Sequence, residues 1–302
     1  MKKMIGPASL FFLLLVLSGL LPGRSAPAGN NYLIGLAVII QVICLTNLFW
    51  NKNKAKVQAC SDVAALVMAF LWLWDLFTGR LEILNKFLYP APGNILKLFT
   101  SEFPVMLKGL FNSIQLLAGG YILALLIAIP LALIIGWRGR LYLAVKPLTK
   151  VLGPIPPIVY IPYAIAILPT FKASSVFVIF IGAFWPVFIN TLNGVFNIEK
   201  KIIDTARMLN VKEMPMLFQV ILPGALPSII TGATIGLVFS FILLTAAEMI
   251  GATSGIGWYV KYFSDFADYP RVVVGIIFLG LVVTVITYFF DRAESYLLRW
   301  RR

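Results

Sequence analysis

Long apolar runs separated by short polar segments dominate this sequence. Runs of about 20 apolar residues are typical of helices that cross a bilayer, because 1.5 Å per residue must cover about 30 Å of hydrocarbon. The stretch that begins at Val105 is predicted to start as an interfacial segment before it crosses. Eight spans are predicted, at residues 5–21, 32–50, 62–77, 121–135, 151–168, 174–196, 228–250 and 272–290. The pattern predicts an all-α, polytopic transmembrane helix bundle of about eight spans.

One long polar segment, residues 197–227, interrupts the apolar second half of the chain. Its charged residues are Glu199, Lys200, Lys201, Asp204, Arg207, Lys212 and Glu213. Ile202, Ala206 and Leu209 fall on one helical face, with Ile203 beside them. The segment is therefore predicted to lie as amphipathic helix at a membrane face.

Capping signals divide this segment into two short helices. Asn197 is a good N-cap for the first helix, and Asn210 can adopt the left-handed conformation that ends it. Pro215 suits the first turn of a second helix, and Pro223 and Pro227 are expected to close the segment. The sequence predicts two short helices joined by a sharp turn.

The composition agrees with a membrane protein and narrows its chemistry. The chain has 302 residues, of which 60% are hydrophobic and 12% charged, against about 25% charged in soluble domains. Only two cysteines occur, and their positions suggest neither a disulfide framework nor a metal framework. The chain has no histidine, which excludes His-dependent metal, haem and acid–base chemistry. The net charge of +13 is explained by basic cytoplasmic loops rather than by nucleic-acid binding.

The basic residues also predict the orientation. With the amino terminus in the cytoplasm and eight crossings, 17 of the 25 lysines and arginines fall in cytoplasmic segments. Those segments are residues 2–3, 51–56, 138–150, 200–212 and 292–302. By the positive-inside rule, both termini and residues 197–227 are predicted to be cytoplasmic.

The first 50 residues are predicted as two additional amino-terminal helices, and residues 51–302 as the main transmembrane domain. Lys2 and Lys3 precede the first apolar run, and a sequence resembling a signal-peptidase site follows it at residues 26–28. Two interpretations stay open at this point: a first spanning helix, or a signal peptide that is removed.

Four prolines are concentrated in the span predicted at residues 151–168, at Pro154, Pro156, Pro157 and Pro162. Proline removes a backbone donor and clashes with the preceding turn, so this helix must be broken or kinked. Freed carbonyls at membrane depth are tolerated only inside protein or beside a water-filled cavity. The prolines are candidates for the wall of a substrate path, with a kinked packing helix as the alternative.

Glu248 is a carboxylate deep in the seventh predicted span, where a charge costs about 2.5–3.5 kcal/mol to insert. It is expected to face the bundle, a partner subunit or water, in a structural or gating role. The glycine-rich stretch after it, with Gly251, Ser254 and Gly255, lacks the Gly-Lys-Ser/Thr ending of a phosphate-binding loop. It is a candidate gate loop, with tight helix packing as the alternative.

The polar segment resembles the coupling loop of bacterial ABC importer permeases, with the pattern E-A-A-x-x-x-G, nine residues, then I-x-L-P. Thr205 and Asn210 depart from that pattern conservatively. The matching positions are Asp204, Thr205, Ala206, Asn210, Val220, Leu222 and Pro223. Further similarity, from about residue 62 to 302, is to permeases of the nitrate, sulfonate, taurine and bicarbonate branch.

This resemblance implies a six-helix permease core, to which the first 50 residues add two helices. It implies a multi-pass protein of the bacterial inner membrane that works by alternating access as two copies, identical or not. Two cytoplasmic ATPase subunits would bind ATP and magnesium and dock on residues 197–227, and a periplasmic or lipid-anchored binding protein would deliver the solute. The chain itself would hold no cofactor or metal, catalyse no covalent chemistry and bind no nucleic acid.

The substrate stays open among small solutes. The resemblance points to an organic or inorganic anion, such as nitrate, a sulfonate, taurine, bicarbonate or an aromatic acid, and heterocycles occur among similar permeases. Two other function classes predict different sequence features. An ion-coupled secondary carrier predicts inverted repeats and intramembrane carboxylate pairs, and a membrane-embedded enzyme predicts a nucleophile–base or acidic metal cluster. The sequence shows none of these features.

Overall fold

A computed structural model describes residues 7–20, 29–50, 53–81 and 83–299. These residues form helices and no strand, and they include six helices that are long and apolar enough to cross a membrane. The predicted all-α, polytopic architecture is confirmed. The helices are α1 (Pro7–Leu20), α2 (Asn30–Trp50), α3 (Lys54–Asp75), α4 (Pro92–Trp137), α5 (Gly139–Leu152), α6 (Ile161–Ile167), α7 (Phe171–Phe196), α8 (Lys200–Met208), α9 (Glu213–Pro215), α10 (Leu222–Gly251), α11 (Ile256–Asp265) and α12 (Tyr269–Leu297).

Two of the eight predicted spans take another form. Within the described residues, the first apolar run forms the 14-residue helix α1, which at 1.5 Å per residue is about 21 Å long. The fifth is broken: α5 and the segment Pro157–Ile167 meet at 78°, so they count together as at most one span. The candidate signal-peptidase site at residues 26–28 lies outside the described residues.

The long fourth helix differs from its predicted organisation. The segment from Val105 is not a separate element, because α4 runs without interruption for 46 residues from Pro92 to Trp137. Its interfacial start stays a prediction. Pro92 begins it and Gly139 follows its end, while Pro104 and Pro130 lie inside it. A helix of this length exceeds the hydrocarbon thickness, so part of α4 must extend past it.

The chain divides into two compact units. The first contains the described residues up to Val105 together with Val260–Ile277. Its core joins α1, α2 and α3, and the Gln41 amide donates a hydrogen bond to the Ser9 hydroxyl between α1 and α2. Where α3 ends, the buried Asp75 carboxylate pairs with the Arg80 guanidinium at 3.4 Å.

The second unit contains Met106–Tyr259 and Phe278–Arg302. Its central packing is between α7 and α10, where glycines allow close approach of the two backbones. A β-carbon at Gly232 would lie 2.8 Å from Asn190 Cβ, and one at Gly236 would lie 3.2 Å from the Ala183 carbonyl oxygen. Small residues at helix contacts are typical of membrane bundles. Tyr121 of α4 donates a hydrogen bond of 2.8 Å to the Ala233 carbonyl and so joins α4 to this pair.

Candidate functional sites

The polar segment predicted as two short helices is built differently at its start and end. Asn197 is not the N-cap of α8: it ends α7, and Glu199 stands at the start of α8. Pro223 and Pro227 do not close the segment, since both lie inside α10. Between α9 and α10 the turns widen into a π-helix, Met216–Ile221, so that one continuous helical stretch runs from Glu213 to Gly251. The missing N–H of Pro223 accounts for the irregular turn before it.

The turn after α8 is a Schellman motif, and it fixes the shape of the segment. Asn210 has φ 55°, which confirms the predicted left-handed residue. The Val211 N–H donates to the Ala206 carbonyl at 3.1 Å, and the Asn210 N–H donates to the Arg207 carbonyl at 2.9 Å. These two bonds satisfy carbonyls that a helix end otherwise leaves without donors. The motif also brings Val211 back against Ala206.

Ala206 points into its own chain. Its side chain is 7% exposed and belongs to a core with Leu133, Val195, Met216, Ile221, Ala225 and Ile229. Ala206, one of the positions that match the coupling-loop pattern, is therefore covered by its own chain. Ala206 packs α8 against the ends of α4, α7 and α10, where a small side chain permits close contact.

Charged side chains make exposed contacts that orient the segment. The Arg207 guanidinium lies 5.6 Å from the centroid of the Trp137 ring and 3.7 Å from the Asp204 carboxylate. Arg138 pairs with Glu213 at 3.4 Å. These ion pairs are exposed, so each contributes only about 0–1 kcal/mol. They help to set the direction of α8 and contribute little to its stability.

The outward side of the segment carries polar and apolar residues together. Asp204, Thr205 and Asn210 are exposed, and the Thr205 hydroxyl bonds back to the Lys201 carbonyl. Val220, Leu222 and Pro223 are half-buried at the start of α10. Five large apolar side chains are also exposed, and we call them the apolar surface: Ile202, Met208, Leu209, Met214 and Phe218. Exposed apolar groups that form a contiguous patch mark sites of contact with another protein or a membrane.

A second group of contacts surrounds Glu248, which is 1% exposed. Its Oε1 accepts a hydrogen bond from the Ser113 hydroxyl at 2.5 Å, and its Oε2 accepts one from the Gly257 N–H at 2.7 Å. The Ile256 N–H in turn donates to Ser113 Oγ at 3.0 Å. We call Glu248, Ser113, Ile256 and Gly257 the clasp. A carboxylate at the first turn of α11 is also favoured by the helix dipole.

The loop before α11 fits closely around the clasp. Gly255 has φ +133°, and a β-carbon there would collide with the Glu248 carboxylate. A β-carbon at Gly109 of α4 would lie 3.2 Å from the Gly255 carbonyl. Asn112 donates a hydrogen bond of 2.9 Å to Ser254 Oγ, while Gly251 is exposed at the end of α10. Three of the predicted gate residues, Glu248, Ser254 and Gly255, thus meet at one place.

The predicted break at the four prolines is present. After α5, a turn and a 3-10 helix, Pro157–Tyr160, lead into α6. Pro154, Pro156 and Pro162 are exposed, and Pro157 is half-buried. Pro157 also lines a cleft of about 220 Å³ between the break and α7 and α10.

Comparison with known proteins decides the family. The sequence profile described as binding-protein-dependent transport system inner membrane component matches residues 128–302. The chain belongs to this family. Among similar permeases, the nitrate import permease of Leptolyngbya laminosa is 34% identical over 58% of this chain and 64% of its own length. The bicarbonate transport system permease of Synechococcus elongatus is 30% identical over 83% of this chain and 92% of its own length.

Other similarities agree with this membership. The putative aliphatic sulfonates transport permease of Bacillus subtilis is 30% identical over 76% of this permease and 83% of its own length. An inward-facing crystal structure of the MetNI methionine ABC transporter contains a chain with the same fold, at a TM-score of 0.56 and 20% identity. That similarity covers 65% of this permease and 98% of the other chain.

The sequence of this permease did not predict that the members of the clasp contact one another. Asn112 and Ser113 are polar residues in an apolar helix, yet nothing along the chain connects Ser113 to Glu248, 135 positions away. A pairing of this kind depends on which helices are neighbours. Two polar residues in one span and a carboxylate in another were the available signal.

Proposed function

We propose that this permease is the membrane subunit of an ATP-driven ABC importer for a small anion and that it works by alternating access. It acts with a second permease copy, two cytoplasmic ATPase subunits that bind ATP and magnesium, and a periplasmic or lipid-anchored binding protein. The permease moves the solute and catalyses no covalent step. Family membership and the names of the relatives support this proposal.

The apolar surface on the segment from Lys200 to Leu222 carries the mechanical part of the proposal. Ile202, Met208 and Leu209 are 48%, 77% and 74% exposed on a helix that Ala206 and the Schellman motif hold in place. A rigid helix with an exposed apolar side suits a groove on an ATPase. Because α8 is packed firmly on its own chain, movement of the groove would be transmitted to α10 and not absorbed by bending of the segment. Asp204, Thr205 and Asn210 lie beside this surface and would add polar contacts, while Val220, Leu222 and Pro223 begin the helix that receives the motion.

The proposed orientation follows the basic residues. Both termini and the segment from Lys200 to Leu222 lie in the cytoplasm, where an ATPase can bind; for the amino terminus this requires that the short helix α1 also crosses the membrane. Arg138, Arg140, Lys146 and the basic residues of α8 are on the same side by the positive-inside rule. The clasp then lies toward the opposite side, where solute enters. There Glu248 has a structural or gating role, because it holds the loop of Ser254 and Gly255 against α4.

The relatives support the choice of solute class. Similar permeases are named for nitrate, aliphatic sulfonates and bicarbonate, which are all small anions. The proline break contributes a wall of the solute path, with Pro154, Pro156 and Pro162 exposed and Pro157 in the cleft.

Reconstitution tests the proposal. The permease would be co-expressed with its ATPase and inserted in proteoliposomes, with loaded binding protein outside and ATP inside. We expect uptake of radiolabelled nitrate, bicarbonate or an alkanesulfonate only with hydrolysable ATP. Uptake driven by an ion gradient without ATP would identify a secondary carrier, and chemical conversion of the solute would identify an enzyme. Either result would overturn the proposal.

A further inference from the structure

A cleft beside the proline break lies in the second unit, apart from the apolar surface and the clasp. Its volume is about 220 Å³. At about 30 Å³ per water molecule, this corresponds to roughly seven waters. The lining residues are Gly153, Pro157, Gly182, Trp185, Pro186, Ile189, Asn190, Ile235 and Phe239.

Glycines bring the broken backbone against α7 and so shape this cleft. A β-carbon at Gly153 would lie 2.9 Å from Ile189 Cδ1, and one at Gly182 would collide with Leu243. Irregular backbone at membrane depth does not face lipid, because freed carbonyls and N–H groups need protein or water. Pro154, Pro156 and Val159 are nevertheless exposed. This side of the chain must therefore face another protein chain or a water-filled path.

The cleft offers polar groups without a charge. Asn190 donates one hydrogen bond of 2.8 Å to the Pro186 carbonyl, and its amide oxygen makes no bond within the described part of the chain. The Trp185 indole also lines the cleft, and its N–H is a further potential donor. Phe239 and Ile235 supply apolar surface, and the lining contains no lysine, arginine or carboxylate.

These groups discriminate between two kinds of solute. Either kind of anion would lose hydration against this lining without gaining a cation, which is costly. An organic anion offsets part of that cost by placing its apolar body on Trp185 and Phe239, with its charged head near the second N–H of the Asn190 amide, and a bare inorganic anion has no apolar body to do so. Aromatic side chains with a few polar groups are typical of small-molecule sites.

We propose that this cleft contacts the transported solute and favours a small organic anion, of the alkanesulfonate type, over a bare inorganic anion. The inference rests on the proposed function, since it places the cleft on the solute path. It adds a contact site and a narrower solute class.

Thiol labelling tests the cleft directly. In a chain with Cys44 and Cys60 replaced by serine, Ile235→Cys places one thiol in the lining, and Leu126→Cys places one at an exposed apolar position of α4. The reagent is 2-sulfonatoethyl methanethiosulfonate, which is charged and reacts only where water reaches. We expect labelling at position 235 and not at 126. Ethanesulfonate at twice its dissociation constant should slow labelling about threefold, and nitrate should not.

A second variant separates binding from access. Asn190→Leu in the Ile235→Cys chain should leave labelling intact and remove the protection by ethanesulfonate. Absence of labelling at 235, as when a side chain of the second copy fills the cleft, would overturn the inference, and so would equal protection by nitrate. ATP-driven uptake is measured separately, with the cysteine-free parent. Absence of uptake there would reject the proposed function, whereas the labelling results test the cleft.

Discussion

The Ser113 hydroxyl donates a 2.5 Å hydrogen bond to the Glu248 carboxylate, and the same hydroxyl accepts a bond from the Ile256 N–H. One serine of α4 therefore links a buried charge of α10 to the first turn of α11. A buried carboxylate is tolerated in an apolar span when its oxygens have donors, and the clasp supplies them. The arrangement holds three helices together through a few bonds, which a conformational change can break as a unit.

The clasp predicts a coupled loss of stability. Glu248→Ala and Ser113→Ala should each lower the free energy of unfolding in detergent by about 1–2 kcal/mol, since each leaves a buried partner without its bond. The double variant should lose less than the two single losses together, because the variants remove the same bond. Ser101→Ala, on an exposed position of α4, is the matched control. Strictly additive losses, measured by thermal unfolding, would contradict the clasp.

The left-handed residue after α8 predicts opposite effects of two substitutions. Asn210→Val should weaken the turn by about 1–2 kcal/mol, because a β-branched residue tolerates positive φ poorly. Asn210→Gly should leave the turn intact, since glycine adopts this conformation without a steric cost. Binding of the ATPase, measured by co-purification, should fall only for the valine variant. Equal binding by both variants would show that the turn does not position the segment.

The burial of Ala206 predicts a position-specific effect of charge. Ala206→Glu should displace α8 from its packing against the chain, because an unpaired buried charge costs several kcal/mol. Substrate-stimulated ATP hydrolysis should then be lost. Thr205→Glu places the same charge on the exposed neighbour and should leave α8 seated, as judged by protease resistance of the segment. Asp204→Ala should weaken coupling only slightly, because its ion pair is exposed. Similar protease resistance of the two glutamate variants would contradict the burial.

The apolar runs were sufficient to predict the helical architecture, because the length and hydropathy of a span are local properties. The proline break and the positive φ of Asn210 were likewise predictable, since each depends on the covalent chemistry of one residue. The periodicity of α8 identified the face of Ala206 but did not show that it packs on its own chain. The contacts of Ser113 and the cleft at Trp185 depend on which helices are neighbours, and one sequence carries no signal for that.

The orientation predicts which positions a membrane-impermeant thiol reagent reaches in intact cells. Single cysteines that replace Lys54, Lys146 or Lys212 should resist the reagent, because these lysines belong to the segments predicted to be cytoplasmic. Cysteines at Asn94 or Ser264 should react. Permeabilised cells supply the control, since all five positions are then open to the reagent. Reaction at position 212 from outside would reverse the orientation and remove the proposed ATPase contact.

The central claim is that the apolar surface transmits ATP hydrolysis to the membrane helices. The most direct measurement is ATP turnover of the nanodisc complex, with and without loaded binding protein, for the double variant Met208→Glu and Leu209→Glu. Lys200→Glu, on the same helix, is the charge control. At about 1.4 kcal/mol per tenfold, two charges buried at an interface predict a loss of stimulated turnover of more than tenfold in the double variant. Stimulated turnover and uptake equal to those of the unaltered complex would contradict the claim.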